Sequence, residues 1–259
     1  PFPAFNVKRR HEPVATDTTY SNTPAIDDGS TSAQIFVGTK TLVTDTHGMK
    51  HDKEFVNTLE DNIRKRGAMD KLVSDRAQVE ISKRVHDILR ALFIDDWQSE
   101  PHCQHQNPAK RRTQTVKRGT NTLLDRTGAP ACAWLLAILY VCFVLNFTHN
   151  AVINNVPMNL ATGSTCDISP LLRFRFWQPA YYMHDDSDFP GDSPEERGRF
   201  VGTSEGVGHY MTFKILTDKS SKIIHRSNVR PADVPLDKNI RLDPLVTPSV
   251  VRSKGETSE

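Results

Sequence analysis

Ala129 to Leu145 (APACAWLLAILYVCFVL) is a stretch of 17 residues without a single charge. A segment this apolar has to leave water, which narrows the options to a membrane span or a helix inside a core. Spanning usually takes about 20 apolar residues, so the run is short for a bilayer. Pro130 near its start and Asn146 at its end suit the two termini of a helix. The spacing therefore predicts a fully buried core helix, with a single-pass anchor over 129–145 as the competing reading.

A chain of 259 residues has room for one good-sized core domain and a smaller appendage. Residues 1–13 read as an extended basic lead-in. Three strand candidates follow: VATDTTY, AQIFVG from Ala33 and TLVTD from Thr41, the last two joined by a short Gly38-Thr39-Lys40 hairpin connection. Phe55, Val56, Leu59 and Ile63 recur at three- and four-residue spacing and predict a helix over 52–66, ended by Gly67. Lys71–Ser74 reads as a strand, 78–92 as a second helix and 93–97 as a last short strand. Asn107 followed by Pro108 is a cap and first-turn pair, opening a third helix that runs to about Arg126. Three strands, helix, strand, helix, strand and then helices describe an α/β domain over 14–146, a central sheet of about five strands flanked by helices.

After Asn146 the texture changes. A linker with one strand, the alternating LLRFRFWQPAYYM, spans 147–196. Residues 197–231 predict two or three antiparallel strands, a small β module in which Trp177 and Tyr181 pack or, if exposed, stack on a base. The polar, proline-bearing stretch 232–259 reads as a disordered tail.

Net charge is only +2, but Lys110, Arg111, Arg112, Lys117 and Arg118 lie close together on the third helix. A concentrated positive patch on a nearly neutral chain points towards a polyanion, although the same residues could form a plain solvated face. Cys103, Cys132, Cys142 and Cys166 form no CxxC pair and read as free thiols of a reducing compartment. His102, Cys103 and His105 crowd one loop, yet no second ligand pair stands at zinc-finger spacing. The first residues, PFPAFNVKRRHEP, do not have the apolar run of a secretory signal and lack an initiator methionine, as expected of a fragment or processed product.

Two aspartates stand where strand-end chemistry is placed: Asp17 in the first strand and Asp75 at the end of the fourth. Polynucleotidyl transfer with two divalent metals about 4 Å apart needs hard oxygen ligands from three carboxylates on separate elements. The third belongs on the helix after the fifth strand, and there, with 34 residues intervening after Asp75, stands Lys110. Asp45, with 29 residues intervening before Asp75, competes with Asp17 for the first position.

The motifs VATDTTY, SDRAQVEI and HQNPAKRR, in that order, resemble those of copia-type retrotransposon integrases. GRFVGTSEGVGHYMTFKILTD and KIIHRSNV resemble the strand pair that follows such a core, so the likeness runs from about Val14 to Pro231. The resemblance implies an RNase H-like fold, magnesium or manganese held by Asp17 and Asp75, and joining of element ends to target DNA. It also implies DNA contacts through Lys110, Arg111, Arg112, Lys117, Arg118, His105 and Gln106, homo-oligomers, no membrane, and a place in the nucleus or cytoplasm of a eukaryotic cell. Two features depart from the family. Position 110 is lysine where the pattern has glutamate, and no His-His-Cys-Cys zinc module stands upstream of Asp17. Glu100 lies too early to replace the missing carboxylate. An ammonium facing two aspartates attracts each by about 4 kcal/mol at 4 Å and an effective dielectric near 20, and repels the metals. The expectation is a DNA-binding core without strand transfer.

Overall fold

The computed structural model describes residues 7–75, 82–98, 107–184, 188 and 190–243. The first half builds a five-stranded sheet in the order β3-β2-β1-β4-β5. Its strands are β1 (Pro13–Tyr20), β2 (Ser32–Gly38), β3 (Thr44–Met49), β4 (Lys71–Ser74) and β5 (Asp95–Gln98). β1, β2 and β3 form an antiparallel meander, whereas β4 lies parallel to β1 and β5 parallel to β4. Strand order and direction make this sheet RNase H-like, the mixed α/β architecture expected.

Helices α1 (Phe55–Arg66), α2 (Lys83–Ala91), α3 (Pro108–Thr127) and α4 (Trp134–Phe147) cover the sheet. Alternation along the strands splits the core in two. Val14, Phe36, Met49 and Leu72 face Phe55, Leu59, Val85 and Leu89 of α1 and α2. Ala15, Ala33, Ile35 and Val73 face Val116 of α3 and Leu135 and Ile138 of α4. Because both faces are covered, every residue of β2 is buried, and each large aliphatic side chain so removed from water contributes roughly 1.5–3 kcal/mol.

The apolar run becomes α4, inside the molecule. One side lies against the sheet through Leu135, Ile138 and Cys142; another, through Leu136 and Ala137, meets Phe176, Val201 and Leu216. A helix packed on two sides has no use for a polar stripe, which explains the lack of one in the sequence. Among the described residues no helix is long and apolar enough to cross a membrane. Asn146, at the end of the run, pairs the open edge of β3. Its Oδ1 accepts from Thr44 N at 2.7 Å and its Nδ2 donates to Thr44 O at 2.8 Å.

A second, antiparallel sheet has the order β10-β6-β7-β8-β9, with β6 (Pro179–Met183), β7 (Glu195–Thr203), β8 (Phe213–Thr217), β9 (Ile223–Arg226) and β10 (Val229–Pro231). It is the antiparallel β module expected after the core, and it extends beyond 197–231. The strand read as part of a linker, β6, is integral to the sheet, between β10 and β7. The long alternating run shortens to that strand because Trp177, at φ +64°, turns the chain. Phe174 and Phe176 before it drop into two different clusters instead of alternating across a sheet. Short helix α5 (Pro157–Thr162) occupies part of the stretch read as linker. Residues 232–243, expected to be disordered, are tied to the sheet: Tyr181 Oη donates to Asp243 Oδ2 at 2.6 Å, and Asn239 Nδ2 to Glu195 Oε2 at 2.8 Å.

β3 begins at Thr44, three residues after the expected start at Thr41. The cause is Glu12, only 2% exposed, whose carboxylate accepts from Lys40 N, Thr41 N and the Thr41 hydroxyl and so holds 40–41 in the turn.

Candidate functional site

The register of β1 and β4 places the two aspartates together. Their last paired residues are Ala15 and Val73, and Asp17 and Asp75 each lie two residues further along parallel neighbours. A two-residue step keeps each on the face of Ala15 and Val73, the face on which α3 packs. On α3 the residues turned to the sheet are Ala109, Arg112, Thr113, Val116 and Thr120, at the three- and four-residue spacing of one helical face. Lys110 stands at the edge of that face.

Asn107 fixes the start of the helix. Its Oδ1 accepts from Ala109 N at 2.9 Å, the capping bond expected of an Asn-Pro start. Its Nδ2 reaches back to the sheet, donating to Thr16 O at 2.8 Å and to Asp75 Oδ1 at 3.0 Å. A single amide thus caps α3, grips β1 and orients the Asp75 carboxylate. The other oxygen of that carboxylate, Oδ2, lies 2.8 Å from Lys110 Nζ. With the two side chains 26% and 30% exposed, solvent screens this pair, and its net worth is no more than about 1 kcal/mol.

Asp17 is half-buried, and burial raises its pKa above the usual aspartate value. The Thr113 hydroxyl, Lys110 and Lys117 work against that rise, and Asp75 adds to it. Thr113 Oγ1 is buried and, among the described residues, has no hydrogen-bond partner of ordinary geometry, so its effect on Asp17 is that of a nearby dipole. The structure therefore assembles two neighbouring carboxylates, an ammonium on one of them, and a hydroxyl beside the other. That donor set does not suit a pair of divalent metals. It offers two carboxylates, one with both oxygens engaged, and among the described residues no group of three or more His, Cys, Asp or Glu could hold a metal ion.

The basic residues divide. Arg111, Lys117 and Arg118 are exposed along α3. Arg112, grouped with them in the sequence, turns inward; its Nε donates to Thr44 Oγ1 at 2.9 Å, and burial lowers its pKa. It braces β3 and is withdrawn from any surface contact. His105 and Gln106, like Glu100, His102 and Cys103, lie outside the described residues.

Asp45 is elsewhere. It projects from β3 opposite Phe36, on the α1 side of the sheet, 3% exposed. Arg66 holds it with two bonds of 2.9 and 2.8 Å and Lys65 approaches to 3.0 Å. Both cations also reach Glu205 in the second sheet's β7–β8 connection. Although burial opposes it, these bonds push the Asp45 pKa far below the usual range. Sequence reasoning missed this network, and also the reach of Asn107 to Asp75. The only signal for Thr113 was its position three residues after Lys110, one turn along the same helix.

No protein-family model matches the chain, and no curated protein matches it. Among solved structures it is similar to a simian T-cell lymphotropic virus intasome in complex with PP2A regulatory subunit B56 gamma, at 12% identity and TM-score 0.47, over 88% of this chain and 84% of that one. It is also similar to the HTLV-2 integrase catalytic core domain in complex with magnesium. The trimeric form gives 14% identity and TM-score 0.47 over 59% and 97% of the two chains, and the dimeric form 14% and 0.46 over 60% and 98%. Likenesses this remote carry no argument about the chain's chemistry; strand order and direction define its fold.

Proposed function

We propose that the chain is a copia-type retroelement integrase core that has lost strand transfer and keeps DNA binding along α3. The carrying observation is the 2.8 Å pair between Lys110 Nζ and Asp75 Oδ2, at the position where the resemblance calls for a third carboxylate. Asp17 and Asp75 are the remaining two metal ligands of the family pattern, and an ammonium beside them takes the place and reverses the charge of the third. Magnesium or manganese held there would activate and clamp the oxygens of a phosphodiester in transit, and this chain's residues leave that coordination incomplete. Arg111, Lys117 and Arg118 supply sequence-independent attraction for the backbone of element or target DNA. A homo-oligomer acting in the nucleus or cytoplasm of a eukaryotic cell belongs to the same proposal.

Purified protein with Mg²⁺ or Mn²⁺ and an oligonucleotide end substrate is expected to yield no joined product. Lys110→Glu is expected to gain divalent-metal binding by calorimetry. Joined product from the unaltered chain overturns the proposal. A protein that binds DNA with no metal response even in Lys110→Glu favours the second reading, a DNA-binding or interaction protein that retains only the fold.

A further inference from the structure

At the opposite end of β1 from the carboxylates lies a groove of about 400 Å³. Four segments wall it: Lys8–Glu12, the β2–β3 connection around Lys40, the end of α1, and α5. Its lining carries Lys8, Arg9, Arg10, Lys40, Lys65 and Arg66 against a single carboxylate, Glu12, which is buried and bonded to Arg10 at 2.6 Å. Lys65 and Arg66 are shared with Asp45 and Glu205. Lys8, Arg9 and Lys40 have no carboxylate partner among the described residues.

Two further observations make this more than a basic surface. The cationic segment is pinned in place: Ala68 N donates to Lys8 O at 2.7 Å, Arg10 N to Ala68 O at 2.9 Å, and His11 is held at φ +56°. The Arg10 side chain is only 6% exposed; its Nε serves Glu12 and its Nη2 Val43 O, and its Nη1 is buried with no partner among the described residues. That nitrogen is sealed inside the wall, so Arg10 adds fixed positive charge to the groove, and Lys8, Arg9 and Lys40 supply the donors open to a ligand.

We propose that this groove is a second nucleic-acid contact, holding the phosphodiester backbone of a single strand. It rests on the reading of the chain as a DNA-binding protein and adds to it a site that the α3 surface does not include. At about 3.3 Å per residue, the five residues from Glu12 to Asp17 set the groove about 16 Å from the carboxylates. Among the described residues no Phe, Tyr or Trp lines it, so it offers charge and hydrogen bonds to phosphates and no platform for stacking bases. Recognition there is independent of base sequence. The volume is of small-ligand size and admits part of one strand, not a duplex.

The test is protection of lysines from acetylation in the full chain, read by mass spectrometry with and without a twelve-residue oligothymidylate. Lys8 and Lys40 are expected to be protected, both in the unaltered protein and in the Arg111→Gln/Lys117→Gln/Arg118→Gln variant. The Lys8→Gln/Arg9→Gln/Lys40→Gln variant is expected to bind the oligonucleotide with a dependence of log K on log salt shallower by about 2, at roughly 0.7 for each phosphate no longer neutralised. Equal acetylation of Lys8 and Lys40 with and without oligonucleotide overturns the inference, even where Lys117 is protected. Protection of Lys8 and Lys40 without Lys117 upholds the groove and removes the α3 contact from the proposed function. Protection by a heparin fragment of matched charge but not by the oligonucleotide overturns the assignment to nucleic acid.

Discussion

Asp17 and Asp45 stand on strands of one sheet, each with a lysine nearby, and are driven in opposite directions. Asp17 is half-buried and its carboxylate makes no close ion pair among the described residues, so burial prevails and its pKa rises. Asp45 is more deeply buried, yet a two-bond arginine and a lysine within 3.0 Å depress its pKa far below normal. Geometry of the counter-charge, not depth, decides which aspartate is ionised comfortably. The first is a carboxylate with its chemistry unspent; the second is committed to fastening α1 and the β7–β8 connection to the edge of the sheet.

Asp45→Asn should break this contrast most severely. Removing one partner leaves Arg66 and Lys65 facing each other with only Glu205, and a cost of about 3 kcal/mol is expected in urea denaturation. Asp17→Asn, by contrast, should raise stability by less than about 1 kcal/mol at neutral pH. Equal losses at the two positions would erase the distinction. Asn146→Ala is expected to cost about 2 kcal/mol, because Thr44 loses both bonds that pair the open edge of β3. Amide exchange at Thr44 should accelerate with it.

The pH dependence sharpens the same comparison. The Asp45 pKa is depressed in the folded state, so its stabilisation is complete above the unfolded value near 3.9 and fades as pH falls towards the folded value. The Asp17 pKa is raised, so its contribution is complete below about 3.9 and is lost as pH rises through the folded value. Denaturation midpoints recorded from pH 3 to pH 7 should therefore lose their acid fall in Asp45→Asn and gain at the neutral end in Asp17→Asn. The smallest effect is expected from Lys110→Ala. Its half-screened pair with Asp75 is worth no more than about 1 kcal/mol, and a larger loss in denaturation would make Lys110 a structural residue first.

Much of the placement of the candidate site's residues was legible because it depends on local periodicity. A strand with period two puts Asp17 on the face of Ala15, a strand end carries Asp75, and the Asn107-Pro108 pair starts a helix that brings Lys110 to Asp75. The fold order was readable for the same reason, with boundaries displaced where a distant side chain intervened, as Glu12 does at Thr41. Arg112 could not be told from its basic neighbours, since its inward turn depends on Thr44, 68 residues away in sequence. Nor could Asp45 be set aside on more than spacing, because Arg66 and Glu205 come to it only through packing.

By itself, then, the sequence determined the α/β order, the burial of the apolar run and the start of the third helix at Asn107-Pro108 with Lys110 in its first turn, all consequences of residue type and period along one segment. Tertiary structure alone decided which counter-charge each aspartate meets, which arginine leaves the surface, and that β6 and residues 232–243 belong with the second sheet. It also gathered Lys8, Arg9, Arg10 and Lys40 into a groove. Charge and hydrogen-bond energies depend on distances of a few ångströms between residues far apart in the chain, and only folding sets those distances.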